Sequence, residues 1–268
     1  MGAAVATAVA HGLVKAGSDR LALRAIIGIT ALAVMLGPAL ATGPPEPVIV
    51  PWLLGSIALH LVYQLVLVRS YALTDFSLAF PVARGIAPVA TSLAALLLLG
   101  ERLAAPAALG IAAISLGIGS LGWRSGMTVQ GLVAAIATGL LTAAYTLVDA
   151  GGVRAAHSAV HFIAWFFVLE GAGILLIFAA VRRGQAFALA TAHAKGGIAA
   201  GLVSVAGFGA ALWALRLAPV GIVAGLRETS VAIGVVIAAL WLGETVGPRK
   251  IVAATLITLG AIVIVMSQ

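Results

Sequence analysis

The sequence predicts an all-α integral membrane protein of about ten transmembrane helices, arranged as two inverted five-helix repeats. Three observations predict it. Of 268 residues, 63% are hydrophobic and only 9% charged, and the mean hydropathy of +1.20 exceeds what a water-facing surface tolerates. The apolar residues fall in uninterrupted runs of helix length, without the alternation of a barrel. Lipid offers no hydrogen-bond partner, so the backbone must satisfy itself within each run. Finally, the second half of the chain repeats the first at a constant shift.

With charged, proline and glycine clusters as punctuation, the apolar spans lie near 2–16, 22–42, 50–70, 76–99, 104–122, 128–149, 158–181, 196–214, 219–242 and 249–267. The first is short against the roughly 20 residues a bilayer requires, so a truncated first helix is expected. Its start, Met1-Gly2-Ala3-Ala4, lacks the basic region of a cleavable signal peptide. Gly43-Pro44-Pro45-Glu46-Pro47 is the clearest turn, and Arg182 to Lys195 is the longest polar stretch. Pro106 and Pro248 stand at helix starts, where a missing N–H costs nothing. No soluble domain fits between the spans.

The repeat is clearest from Pro81, which falls on Ala224. In that register Arg84 meets Arg227, Leu99-Gly100-Glu101 meets Leu242-Gly243-Glu244, and Ile114, Leu116 and Gly117 meet Ile257, Leu259 and Gly260. More loosely, Leu13-Val14-Lys15-Ala16-Gly17 is similar to Leu147-Val148-Asp149-Ala150-Gly151. The expected units are residues 1–124 and 125–268. An odd number of crossings per unit turns the second copy upside down, the plan of many secondary transporters.

With its Leu-Gly-Glu signature at the end of the fourth helix of each repeat, the chain resembles the drug/metabolite transporter superfamily, EamA type. The strings Phe80-Pro81-Val82-Ala83-Arg84-Gly85 and Leu226-Arg227-Glu228-Thr229-Ser230 resemble one bacterial branch of it. The resemblance implies a ten-helix bundle with a central cavity, moving a small metabolite or drug-like solute, often outward, across the bacterial inner membrane. The expected function is therefore secondary active transport by alternating access, not catalysis. The alternatives are a lipid-modifying membrane enzyme, which needs a clustered nucleophile, acid–base pair or metal, and a scaffold, which needs no cavity beside Arg84 and Arg227.

An ionisable group inside a span costs about 2.5–3.5 kcal/mol on insertion scales, so each requires a partner or a wet cavity. Arg84 and Arg227, equivalent in the two halves, are expected near the midplane, where with Lys15 they would bind a carboxylate or phosphate through guanidinium contacts. Alternatively, Glu228 neutralises Arg84 and the group is a structural ion pair. His60, Tyr63 and Gln64 share one helix face that should look inward. Glu170 is the best candidate for a proton-coupling carboxylate, with His60 and Asp149 behind it. Tyr145, Trp165 and Trp213 either line an aromatic cavity or pack at interfaces. Pro81 and Pro88 bracket Arg84 and are expected to kink the fourth helix.

Glu101 and Glu244 sit where a carboxylate complements a helix start and read as structural. His157 and His161, at i and i+4, suit a metal on one face but lack a third local ligand, and an interfacial role is favoured. The formal net charge of +7 is spread singly or in pairs between spans, a topology signal and not a nucleic-acid footprint. Cations concentrate in the odd-numbered connections (Lys15, Arg20 and Arg24; Arg182, Arg183 and Lys195; Arg249 and Lys250), which would place both termini outside, whereas the resemblance implies both inside. With no cysteine, thiolate chemistry and disulfides are excluded. No phosphate-cradling loop or cofactor motif is present. The expected partners are a small-molecule substrate and the bilayer, with a monomer or dimer as the assembly.

Overall fold

The computed structural model describes residues 2–16, 19–99, 105–122, 127–183, 186–218, 220, 223–224, 227 and 230–267. All its regular structure is helical. The elements are α1 (Gly2–Ala16), α2 (Arg20–Ala41), α3 (Val50–Leu73), α4 (Phe76–Leu99), α5 (Ala105–Gly122), α6 (Val129–Ala155), α7 (Ala159–Arg182), α8 (Ala186–Leu217), α9 (Ser230–Leu240) and α10 (Pro248–Met266). One boundary moves substantially. The stretch expected as a polar connection up to Lys195 is helical from Ala186, because its alanines favour helix more strongly than its few polar residues oppose it.

Three helix starts are capped by side chains. Asp19 accepts from the backbone N–H groups of Leu21 and Ala22 at 3.1 and 3.0 Å. Thr128 accepts from Gly131 at 3.0 Å and Ser158 from His161 at 3.1 Å. Each cap satisfies a donor that the first helical turn leaves orphaned.

Six described helices are long and apolar enough to cross a bilayer. The bundle is turned inside out relative to a soluble protein. Leu109, Leu217, Leu240 and Met266 face outward, while Ser56, His60, Gln64, Arg84, Asp149 and Arg227 are buried. This is the polarity expected when the solvent is hydrocarbon.

Helix neighbours obey a twofold exchange. The most extensive interfaces are α2 with α7 and α5 with α10, each pairing a helix with its own counterpart in the other half. Others come as exchanged pairs of unequal extent: α3 with α6 corresponds to α8 with α1, α4 with α6 to the smaller α9 with α1, and α2 with α8 to the much smaller α7 with α3. Glycines mark where the axis passes. A Cβ on Gly171 would sit 2.3 Å from the Gly28 carbonyl oxygen, and one on Gly260 would sit 2.6 Å from that of Gly110. The shift that carries Arg84 onto Arg227 also carries Gly28 onto Gly171, and it turns the Gly110–Gly260 contact into the Ala253–Gly117 contact, where a Cβ on Gly117 would lie 2.9 Å from the Ala253 oxygen. Without a hydrophobic drive between helices in lipid, close backbone approach through small residues supplies the packing energy.

Gly171→Leu should therefore force α2 and α7 apart. Overpacking of this kind costs about 1–3 kcal/mol, and the midpoint of thermal unfolding in detergent should fall. Gly37→Ala, where nothing lies within 4 Å of the new Cβ, should leave the midpoint unchanged.

Candidate functional site

A cavity of about 90 Å³ lies where the two halves meet, lined by residues of α1, α2, α3, α4, α6, α7 and α8 together with Arg227. One wall is aromatic. The His60 ring stacks on Tyr145 with centroids 3.9 Å apart, and Phe166 and Phe208 meet its edges and faces at 4.8 and 5.2 Å. On α7, Glu170 lies one turn on from Phe166 and Phe167 and falls between them around the helix axis, so the three share the cavity face.

The other wall is charged. Arg24, Arg84 and Arg227 all line the cavity, against one carboxylate, Glu170, among the described lining residues. Arg84 and Arg227 are buried. The Arg227 guanidinium lies 5.2 Å from the Phe208 ring centroid, within cation–π range. The Nε atoms of Arg24 and Arg227 are buried without a hydrogen-bond partner among the described residues.

Behind the lining, polar side chains form a supporting layer. Gln64 donates to Glu170. Asp149 accepts from the Ser56 hydroxyl at 2.5 Å and faces His60 Nε2 at 3.2 Å. The Tyr71 hydroxyl lies 2.7 Å from His11 Nδ1, and the Tyr63 hydroxyl lies 3.4 Å from His11 Nε2. Residues remote in sequence thus fix one another's rotamers around the cavity.

Several expectations change on contact with the structure. His60, Tyr63, Tyr145, Arg84, Arg227 and Glu170 line the cavity, whereas Gln64 and Asp149 stand one layer behind it. Trp165 does not line the cavity: its hundred-degree step from Phe166 runs away from Phe167 and Glu170, and its indole N–H donates to the Gly43 carbonyl at 2.8 Å, tying down the α2–α3 turn. Trp213 is 46% exposed. Lys15 does not join the arginines; its ammonium caps the end of α3 by donating to the carbonyls of Tyr71 and Thr74 at 2.9 and 2.8 Å. α4 is continuous through Pro81 and Pro88, and each proline deprives a carbonyl of its intrahelical donor, those of Ser77 and Arg84. Glu228 and Glu101 lie outside the described residues.

Two lining residues had escaped notice. Arg24 had been grouped with connection charges, and His11 sat in the short first span. Both are ionisable groups inside apolar runs, the same signal that singled out Arg84. With Arg24 in the cavity, the first odd connection loses one of the cations behind its positive bias.

Both ends of the bundle are held by side chains that cap helices. Arg154 donates to the carbonyls of Leu215 and Ala218 at 2.8 and 2.9 Å, repeating at the end of α8 what Lys15 does at the end of α3. Arg216 adds donors to Val153, Ala156 and His157 at 2.9, 2.8 and 3.1 Å. Glu244 accepts from the N–H groups of Phe76 and Ser77 at 2.7 and 2.8 Å. Its cap is thus on α4, across the interface between halves, and not on the helix that follows it. Lys250 lies 3.7 Å from Asp75 and bonds the Ser77 hydroxyl at 2.7 Å.

The EamA-like transporter family profile matches residues 129–266, more than half of the chain. No curated protein matches it. Among solved structures, a crystal structure described only as that of a protein superposes with a TM-score of 0.62 at 19% identity, covering 98% of this chain and 94% of that one, a likeness of fold. The all-helical, lipid-facing bundle and the profile match agree, and the chain belongs to the EamA-like transporter family.

Proposed function

We propose that this membrane transporter carries a small organic anion by alternating access, with the halves 1–124 and 125–268 as the moving units, outward across a bacterial inner membrane and coupled to protons through Glu170. The observation that carries this reading is the charge of the cavity: among the described lining residues, three guanidinium groups face one carboxylate at the junction of the two halves. An anion that enters gains charge-assisted, bidentate contacts and relieves cations that hydrocarbon cannot solvate.

The size of the cavity supports movement. About 90 Å³ is well below the roughly 300–1,000 Å³ of small-molecule sites, so cargo requires the helices to part. The caps at the two ends are the groups that would release in turn. The scaffold alternative required a bundle without a cavity beside Arg84 and Arg227, and a cavity lies there.

Arg24→Ala, Arg84→Ala and Arg227→Ala should each raise the KM for a transported carboxylate or phosphate in proteoliposomes by about 10–100-fold, the worth of a hydrogen bond to a charged group. Unchanged flux of every anion in a metabolite panel would remove the assignment.

Glu170→Gln should leave solute exchange down its own gradient intact and abolish the response to an imposed pH gradient. A variant that still concentrates solute with the proton gradient excludes Glu170 as the coupling group.

The absence of cysteine makes the chain a ready background for labelling. Lys15→Met should loosen the end of the bundle at α3–α4 and Arg154→Met the opposite end. An impermeant maleimide should then reach Ala10→Cys, on the cavity wall, from opposite faces of the membrane in the two variants. Labelling from one face in both would contradict a two-gate cycle.

A further inference from the structure

A second polar cluster lies away from the cavity, where the α2–α3 turn meets the α6–α7 connection. Glu46, His157 and His161 each offer a ligand atom there, and these atoms all lie within 4.8 Å of one another. The two imidazole centroids are 4.7 Å apart with their planes at 57°, and the Glu46 carboxylate contacts His157 Nδ1. His161 is the informative member. It is 1% exposed, and neither ring nitrogen has a hydrogen-bond partner by distance and angle among the described residues, with the Thr42 backbone as its polar neighbour. A buried imidazole with both nitrogens unsatisfied is costly unless something else occupies a lone pair.

We infer that Glu46, His157 and His161 form a binding site for a divalent transition ion of the zinc type. Two imidazoles and one carboxylate are the donors such an ion prefers, and three protein ligands leave a fourth position for water. Nitrogen donors disfavour magnesium and calcium, which take oxygen. The surroundings already supply the outer layer such sites use. The Thr42 backbone sits beside the His161 ring, Arg216 donates to the His157 carbonyl at 3.1 Å, and Trp165 holds the Gly43 carbonyl at 2.8 Å. Spacing on α7 accounts for only one pair of ligands; Glu46 comes from the other half of the chain. An ion bound here ties the two halves together at the end already capped by Arg154, and, granting the transport cycle proposed above, it holds that end shut.

Binding is tested without reference to transport. The full chain, purified in detergent with any polyhistidine tag removed, is titrated with Co²⁺, whose visible absorption reports tetrahedral nitrogen–oxygen ligation, and then with Zn²⁺ as competitor. One saturable equivalent per chain is expected, displaced by zinc. Glu46→Gln and His161→Asn should each weaken it by at least about 10-fold, since loss of even an outer-layer partner costs that much. Glu46 is partly exposed, so its variant should keep the unfolding midpoint of the metal-free parent and separates ligand loss from misfolding. Absence of the tetrahedral band, or affinity unchanged in both variants, overturns the site. In proteoliposomes, zinc should slow flux through the parent and not through Glu46→Gln; stoichiometric binding with unaltered flux overturns the locking role alone.

Discussion

Three guanidinium groups inside a bundle that faces hydrocarbon set the terms for the rest of this structure. Arginine stays charged at any accessible pH, so Arg24, Arg84 and Arg227 cannot relieve their burial by losing a proton. Their charge must be met by water, by carboxylate, by aromatic faces or by an anion. Among the described lining residues the protein supplies Glu170 and the Phe208 ring, and cations there outnumber carboxylates. The aromatic wall of His60, Tyr145, Phe166 and Phe208 gives the same space an apolar side, so it can accommodate the carbon body of an organic anion as well as its charged head.

Placing these arginines together is the work of helix packing. Arg84 and Arg227 come from corresponding positions in the two halves, and they reach one cavity because α2 crosses α7 and α5 crosses α10 at points where glycine allows backbones to touch. A side chain at those crossings would meet the backbone or side chains of the facing helix and hold the halves apart. The supporting layer of Ser56, Asp149, Gln64 and Tyr71 then orients His60, Glu170 and His11, so the polarity of the interior is arranged in shells and not scattered.

The ends of the bundle are governed by a different force. Carbonyls that terminate α3 and α8 would be unsatisfied near the membrane surface, and Lys15 and Arg154 answer them with matching pairs of bonds. Glu244 does the same for the opposite polarity at the start of α4. These bonds are charge-assisted yet lie near water, where exchange with solvent is cheap. They can be made and broken without the cost of baring an arginine to lipid, as the proposed cycle requires of its ends.

Most of the fold was legible in the sequence because hydrocarbon permits few solutions. Apolar runs of bilayer length had to be helices, and a repeat at constant shift had to bring Arg84 and Arg227 into equivalent places. The rule that an ionisable residue within a span demands a partner also covered Arg24 and His11, though their closeness to the first connection concealed them. What the sequence could not convey was rotation about each helix axis and contact between distant turns. Trp165 and Phe166 are adjacent in the chain and face different surroundings, and Glu46 joins His157 and His161 only because two turns meet at one end of the bundle. Composition and periodicity determined that this chain is a membrane bundle of paired halves with charges inside it. Tertiary packing alone decided which charges share a cavity, since that depends on where helices cross, and a crossing is set by complementary surfaces that lie far apart in the chain.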